Sequence, residues 1–195
     1  MPSDTVSDYF RGLRETLERT EREIGKEIAR CARLLIGTLR RGNKLLLMGN
    51  GGSAADAEHF AAELVGRFLK NRAGLPAVAL TSNSAAVTAI ANDFGFDAVF
   101  SRQIEALAVP GDLVFAISTS GRSPNITQGI TAARQRGCVT VALLGKDGGE
   151  TAGAADHALI IPAHLTPHIQ EMHIVVIHLL CQTVEEALFP TEGEA

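Results

Sequence analysis

The chain has 195 residues, of which 46% are hydrophobic, and a formal net charge of −4 at pH 7. This length suits one α/β domain with a substantial core and is too short for two ordinary domains. The negative net charge argues against nucleic-acid binding, because contacts to a phosphate backbone need an excess or a stripe of lysine and arginine.

The first 40 residues show a helical pattern. From Thr5 to Leu39, apolar residues recur at spacings of three and four among arginine, glutamate and lysine, which predicts one long helix or two shorter ones. We assign residues 1–40 to an N-terminal helical arm that makes oligomer contacts. Residues 41–190 then form the α/β domain.

Five apolar runs after residue 40 alternate with helical segments. The predicted strands are 45–48, 77–80, 112–118, 139–144 and 157–162. The predicted helices are 53–70, 84–91, 97–108, 126–136 and 168–188, with turns or loops at 92–96 and 145–153. This alternation predicts a doubly wound, five-stranded parallel sheet flanked by helices, with ligands bound at the carboxyl ends of the strands.

The glycine turn, Gly49–Ala54, follows the first predicted strand and formally matches the dinucleotide pattern GxGxxA. A dinucleotide site also needs an acidic residue at the end of the second strand, and the segment 77–84 contains none. A P-loop is excluded because neither this turn nor Gly145–Asp147 ends in the GK[ST] sequence. We therefore expect an anion or polar-ligand site at a helix N-terminus and no nucleotide cofactor.

The serine turn, residues 118–123, places four hydroxyl groups at a second strand-to-helix junction. They belong to Ser118, Thr119, Ser120 and Ser123. Hydroxyl and backbone N–H donors that converge on one point suit a phosphate monoester. The alternative is plain helix capping, but one hydroxyl is enough for a cap, so the turn favours a ligand.

Two helices carry residues that could perform chemistry. His59 and Glu63 share the polar side of the first helix with Asp56 and Arg67, and Gln170 and His178 lie on one side of the last helix. Together they could form a four-ligand zinc or iron site, or a base and an acid that face one substrate. Taken singly, the first pair also fits a solvated helix face and His178 also fits a core residue. The remaining histidines are expected at the surface or in loops: His157, His164, His168 and His173.

The cysteine pattern and the lack of a targeting signal point to the cytoplasm. Cys31, Cys138 and Cys181 show no metal-type spacing and lie in apolar segments, so we expect buried thiols in a reducing compartment. No stretch approaches about 18 uninterrupted apolar residues, and the acidic start lacks a basic-then-apolar signal pattern. We expect a cytoplasmic protein without membrane contact.

Five motifs occur in an order that resembles the phosphoheptose isomerases of the sugar-isomerase (SIS) domain family. The motifs are GNGGSAADAEHFAAEL, ANDFGF, ISTSGRSPN, LLGKDGG and IQEMHIVVIH. The resemblance covers residues 40 to 190 and implies a flavodoxin-like SIS domain. The first 40 residues and the loop 164–168 match the family only loosely.

The resemblance implies roles for individual residues. Glu63 corresponds to the catalytic base and His178 to the catalytic acid, while His59, Glu63, Gln170 and His178 match positions that bind zinc in some members, one ion per subunit. The serine turn corresponds to the phosphate site through Ser118, Thr119, Ser120 and Ser123. The other implied sugar contacts are Asn50, Gly51, Gly52, Ser53, Glu63, Asn92, Asp93 and Gln170.

The implied reaction converts sedoheptulose 7-phosphate through an enediol to D-glycero-D-manno-heptose 7-phosphate, which feeds ADP-heptose and the lipopolysaccharide core. The implied assembly is a homotetramer whose sites are shared between subunits. A non-enzymatic SIS relative, the DnaA initiator-associating protein, is the alternative, since TAIAND, QEMH and ALFP resemble it. That relative lacks the base and the acid at the positions of Glu63 and His178, so the sequence favours the enzyme.

Overall fold

The computed structural model describes residues 2–190, which form five strands and seven α-helices. The strands are β1 (Leu45–Gly49), β2 (Ala77–Ala79), β3 (Leu113–Ser118), β4 (Val139–Gly145) and β5 (His157–Ile161). The helices are α1 (Pro2–Arg40), α2 (Gly52–Val65), α3 (Ser84–Phe94), α4 (Val99–Leu107), α5 (Pro124–Gln135), α6 (Gly149–Ala154) and α7 (Thr166–Leu188).

The strands form one parallel sheet in the order β2-β1-β3-β4-β5. This is the flavodoxin-like order, in which the chain winds in opposite directions on either side of the β1–β3 pair. Crevices form at such a switch point, outside the carboxyl ends of the strands. Gly49 ends β1 beside Ile117 of β3, so the glycine turn and the serine turn leave the sheet next to each other. The predicted fold class is confirmed.

Both faces of the sheet are buried, which explains the continuous apolar runs. Alternate residues of β1 enter two different cores: Leu45 and Leu47 pack with α1, α2 and α7, whereas Leu46 and Met48 pack with α4 and α5. Each of these four side chains is 0% exposed. The first face therefore carries the two helices, α2 and α7, that hold the predicted acid and base.

The N-terminal arm is a single helix that packs along α7 and β5. Cys31 and Leu35 bury its second half in the core, and Arg40 donates a hydrogen bond of 3.0 Å to the carbonyl of Ala187. Its first half leaves apolar side chains in solvent, with Phe10 55% exposed. No helix within residues 2–190 is long and apolar enough to cross a membrane.

The three cysteines are free thiols and all are buried, as predicted. Burial raises the pKa of the Cys31 and Cys181 thiols to about 12, so both remain protonated at neutral pH.

Three elements differ from the prediction by more than two residues. Helix α2 ends at Val65 rather than near residue 70, because Gly66 follows it and the next backbone groups bond to side chains of other segments. The prediction of a turn at 92–96 is wrong for residues 92–94, because α3 continues through Phe94. Gly95, whose φ is 87°, follows the last helical residue. The predicted loop 145–153 contains the start of the short helix α6.

Candidate active site

The glycine and serine turns are tied together by a pair of side-chain amides. Asn50 and Asn125 exchange two hydrogen bonds, each 2.9 Å long, from Nδ2 of one to Oδ1 of the other. Asn50 belongs to the glycine turn and Asn125 to the first turn of α5, behind the serine turn. Asn125 is only 2% exposed, so this link is shielded from water.

A small polar cavity lies between the two turns. Its volume is about 110 Å³, and it is lined by Asn50, Ser53, Ile117, Ser118, Thr119, Ser120, Ser123 and Gln170. The Ser118 and Ser120 hydroxyls accept hydrogen bonds from the backbone N–H groups of Gly121 and Arg122, at 3.1 and 3.3 Å. Ser123 precedes α5 without a side-chain capping bond among the described residues, and it also lines the cavity. All four residues of the predicted phosphate site, Ser118, Thr119, Ser120 and Ser123, line this one cavity.

Glycines allow the walls of this cavity to approach closely. Gly121 has φ 62°, and a Cβ there would overlap the carbonyl of Gly148 in the loop after β4. A Cβ on Gly52 would overlap the side-chain amide of Gln170. The serine turn therefore packs directly against the β4–α6 loop, and Gln170 of α7 contacts the first turn of α2.

Farther along α2 and α7, three side chains make the histidine–glutamate cluster: His59, Glu63 and His178. The Nε2 atom of His59 lies 3.0 Å from Glu63 Oε1 and 3.3 Å from His178 Nε2. The imidazole of His178 stacks on Phe68, with ring centroids 5.5 Å apart and an interplanar angle of 28°. His59 and Glu63 are 43% and 25% exposed, so a solute can reach the cluster.

The cavity and the cluster both lie where α2 approaches α7, and the surface between them is called the groove below. Gly52 meets Gln170 at one end, and His59 meets His178 at the other. Gln170 and His178 are eight residues apart on α7, a rise of about 12 Å. Asp56 lies between these contacts in the sequence of α2, and its Oδ2 atom is buried without a hydrogen-bond partner within residues 2–190. Burial raises the pKa of the Asp56 carboxyl, although His59 opposes the shift.

Not every predicted site residue reaches this groove. Asn92 and Asp93 are exposed in the last turn of α3, where the Asn92 amide donates to Asp93 Oδ1 at 2.8 Å. Gly51 lines a separate cavity of about 270 Å³ that also contains Thr81 and Phe96. Gln170 lies in the cavity and not in the cluster, although the sequence placed it beside His178.

Two histidines predicted at the surface are buried, so that prediction is wrong. His173 is 0% exposed and its Nε2–H donates to the carbonyl of Leu144 at 3.1 Å. Burial lowers the pKa of His173 to about 4, and the hydrogen bond to Leu144 opposes this shift only in part. His168 is 5% exposed, with its Nδ1 2.8 Å from Glu171, which also accepts from Tyr9 at 2.6 Å. Both lie on the inner side of α7, which the sheet and α1 cover.

Sequence reasoning missed three buried polar residues around the groove: Arg72, Asn125 and Glu185. Arg72 and Glu185 form an ion pair of 2.9 Å in which each side chain is 1% exposed. Glu185 lies seven residues after His178 and four after Cys181, on the same apolar stripe of α7. The signal that singled out His178 could therefore have found Glu185 as well.

The cluster contains side chains of the types that bind metals, but they are not arranged around one metal position in this structure. Across residues 2–190, no three or more histidine, cysteine, aspartate or glutamate side chains are grouped so as to hold a metal ion. Both short contacts in the cluster are made by one atom, His59 Nε2. A carboxylate and two imidazoles are nevertheless ligands that zinc accepts.

The sequence and the fold match known proteins over nearly the whole chain. Residues 8–145 match the SIS domain family. A phosphoheptose isomerase from Geobacter sulfurreducens is 54% identical over 187 residues, which cover 96% of this chain and 99% of that protein. The solved structure of phosphoheptose isomerase GmhA from Neisseria gonorrhoeae is 40% identical, with a TM-score of 0.90 over 95% of this chain and 100% of that one. The structure of a phosphoheptose isomerase from Francisella tularensis is 32% identical, with a TM-score of 0.93 over 95% and 99% of the two chains.

Proposed function

This chain belongs to the phosphoheptose isomerase family of SIS-domain proteins, and we propose that Glu63 and His178 carry the proton transfers of its reaction. Its relatives are named for the isomerisation of a heptose phosphate, and the proposed substrate and product are sedoheptulose 7-phosphate, a ketose, and D-glycero-D-manno-heptose 7-phosphate, an aldose. The observation that carries the assignment is the single groove between α2 and α7, with hydroxyl groups at one end and a carboxylate beside two imidazoles at the other.

The dimensions of the groove support this assignment. An extended seven-carbon sugar with a terminal phosphate measures on the order of 10 Å from phosphorus to C1, given carbon–carbon bonds of about 1.5 Å. The axial offset between Gln170 and His178 is about 12 Å. A phosphate held by the serine turn therefore leaves C1 and C2 within reach of Glu63 and His178.

The chemistry needs a base that moves a proton between C1 and C2 and an acid that serves the two oxygen atoms. The Glu63 carboxylate takes the proton from C1 of the ketose and returns it to C2. His178 donates to the developing enediol oxygen and recovers its proton from the neighbouring hydroxyl. Phe68 covers one face of the His178 ring, which restricts its orientation.

At the other end of the groove, the proposed phosphate ligands are the hydroxyls of Ser118, Thr119, Ser120 and Ser123. Asn50, Ser53 and Gln170 line the same cavity and would contact the sugar. Gly51 and Gly52 are exposed beside it and offer backbone N–H groups at the start of α2.

We further propose that zinc binds at the histidine–glutamate cluster. The ligands would be His59 Nε2, Glu63 and His178 Nε2. His59 Nε2 lies 3.0 Å from Glu63 Oε1 and 3.3 Å from His178 Nε2. Zinc–nitrogen bonds of about 2.0–2.1 Å in a tetrahedron place neighbouring donors about 3.3 Å apart, which supports the fit. A bound zinc would supply a Lewis acid for the sugar oxygens, and Glu63 and His178 would have to leave the ion before they could move protons. Gln170, the fourth proposed ligand, lies at the cavity and outside the cluster in this structure.

A homotetramer with shared sites is the proposed assembly. Asn92 and Asp93 lie outside the groove of their own chain, and exposed apolar side chains flank them, with Phe94 56% and Phe96 55% exposed. An interface at this end of α3 would bury those rings and carry Asn92 and Asp93 toward the sugar of a neighbouring subunit. The exposed apolar residues of α1 support the oligomer contact proposed for the arm, residues 1–40.

The proposed acid is tested by changing one histidine at a time. We expect His178→Gln to lower kcat by about 100-fold or more, as loss of a general acid does, while His164→Gln leaves kcat unchanged. His164 is the matched control because it is exposed and lies outside the groove. The measurement is turnover of sedoheptulose 7-phosphate with zinc added and with zinc removed. Equal kcat values for the two variants would overturn the assignment of His178.

A further inference from the structure

A buried ion pair lies directly behind the histidine–glutamate cluster. The Glu185 carboxylate accepts hydrogen bonds from three consecutive backbone N–H groups, those of Phe68, Leu69 and Lys70, at 2.9, 2.8 and 2.9 Å. It also accepts from Arg72 Nε at 2.9 Å. These four bonds fold the segment after α2 around one carboxylate of α7.

Arg72 uses its remaining donors on the end of α2. Its Nη2 donates to the carbonyl of Glu63 at 2.8 Å, and its Nη1 donates to the carbonyls of Leu64 and Gly66 at 2.6 and 3.2 Å. The last carbonyl groups of a helix have no partners within the helix, and here a guanidinium supplies them. One of the carbonyls that it holds belongs to the proposed base.

The same segment also contacts the proposed acid. Phe68, whose N–H is bound to Glu185, stacks on the imidazole of His178. Arg72 therefore fixes the backbone that carries Glu63, and Glu185 fixes the ring that orients His178. Although burial acts to raise the pKa of the Glu185 carboxyl, the amides of Phe68, Lys70 and Leu69 and the Arg72 guanidinium together lower it.

We propose that Arg72 and Glu185 are positioning residues, which set the distance between the Glu63 carboxylate and the His178 imidazole. This inference rests on the proposed roles of Glu63 and His178. Capping the end of α2 does not require a buried ion pair, because water can bind exposed carbonyl groups. The pair instead joins the end of α2 to α7 beside the histidine–glutamate cluster, in which His59 contacts both Glu63 and His178. A misplacement of about 1 Å at reacting groups can cost about 100-fold in rate.

The test compares two buried carboxylates in different parts of the fold. Asp112, which is 0% exposed, accepts from the backbone N–H groups of Lys44 and Val109 and pairs with Lys44 Nζ at 2.6 Å. It lies before β3, and its hydrogen-bond partners, Asn43, Lys44 and Val109, lie outside α2 and α7. We expect Glu185→Gln and Asp112→Asn both to lower the melting temperature. Only Glu185→Gln should lower kcat, by about 10- to 100-fold, with KM within about twofold of the unmodified enzyme.

Two control variants, Glu186→Gln and Asp112→Asn, and one alternative test variant, Phe68→Leu, complete the experiment. Glu186→Gln changes an exposed neighbour on α7 and should alter neither kcat nor KM. If Glu185→Gln keeps full kcat, or if Asp112→Asn lowers kcat as much, the positioning role is overturned. If Glu185→Gln does not fold, Phe68→Leu decides the question, since it removes the ring from His178 but keeps an apolar side chain. The inference predicts a lower kcat with unchanged KM for Phe68→Leu, and an unchanged kcat would overturn it.

A comparison of Glu63→Gln with Glu185→Gln separates the positioning role of the ion pair from the catalytic role of Glu63. If Glu63→Gln is inactive while Glu185→Gln has full kcat, Glu63 is the base but the ion pair does not position it. If Glu63→Gln retains activity, the assignment of the base itself is wrong.

Discussion

The side-chain amides of Asn50 and Asn125 donate to each other across the switch point of the sheet, at 2.9 Å in both directions. The two residues are 75 positions apart in the sequence, and each belongs to a different strand-to-helix turn. Because Asn50 also lines the polar cavity, the pair sets the width of the proposed phosphate site.

Asn125→Ala should weaken substrate binding more than turnover. The change removes both hydrogen bonds and leaves the Asn50 amide unpaired, which costs about 1–3 kcal/mol. We expect KM to rise by about tenfold, since about 1.4 kcal/mol corresponds to that factor, while kcat changes by less than about twofold. Steady-state kinetics measures both values, with Gln128→Ala, an exposed change on α5, as the control. A larger loss in kcat than in KM would contradict the structural role given to the pair.

Ser123→Ala should reduce the affinity for the phosphate group. Hydrogen bonds to charged groups contribute about 1.5–3 kcal/mol, so we expect KM to rise by about 10- to 100-fold. Inorganic phosphate should also inhibit the variant more weakly than the unmodified enzyme. Thr131→Ala is the matched control, because its hydroxyl is exposed on α5 and donates to the carbonyl of Thr127. If the two variants had the same inhibition constant for phosphate, the serine turn would not be the phosphate site.

His173 should make the free energy of unfolding depend on pH. Its pKa is about 4 in the folded chain and about 6.5 when unfolded, so between these values the unfolded chain binds a proton that the folded chain does not. Stability therefore falls as the pH is lowered from 6.5 to 4, by up to about 3 kcal/mol from this residue. Urea unfolding at several pH values should show a shallower decline for His173→Gln than for His164→Gln. Parallel pH profiles would show that His173 does not cause the decline.

The strands, the glycine turn and the serine turn could be predicted because their sequence signals are local. A parallel strand with both faces covered must be apolar throughout, as β1 and β3 are. Likewise, a glycine turn and a row of hydroxyls each occupy one short stretch of sequence. The switch-point rule then places both turns at the same edge of the sheet.

The end of α2 has a local signal, Gly66, and a second cause that is distant in sequence and could not be predicted. The apolar pattern of α2 continues through Phe68, but Glu185, 117 residues away, binds the N–H of that residue. Similarly, three polar residues interrupt the apolar stripe of α7: His173, His178 and Glu185. The sequence shows each of them only as a polar residue in a largely apolar helix. Only their neighbours distinguish them: His173 bonds to the carbonyl of Leu144, His178 lies beside His59, and Glu185 pairs with Arg72.

Glu63→Gln tests the central claim most directly. Glutamine keeps the size of the side chain but cannot accept a proton as a carboxylate does, and Glu63 is partly exposed, so the fold should be retained. Turnover of sedoheptulose 7-phosphate and exchange of its C1 proton with deuterated water are measured together, with Glu58→Gln, an exposed change on α2, as the control. We predict that Glu63→Gln loses both turnover and exchange by about 1,000-fold or more while its circular dichroism spectrum and melting temperature stay close to those of the unmodified enzyme. A folded Glu63→Gln variant that still exchanges the C1 proton at the rate of the unmodified enzyme would contradict the account.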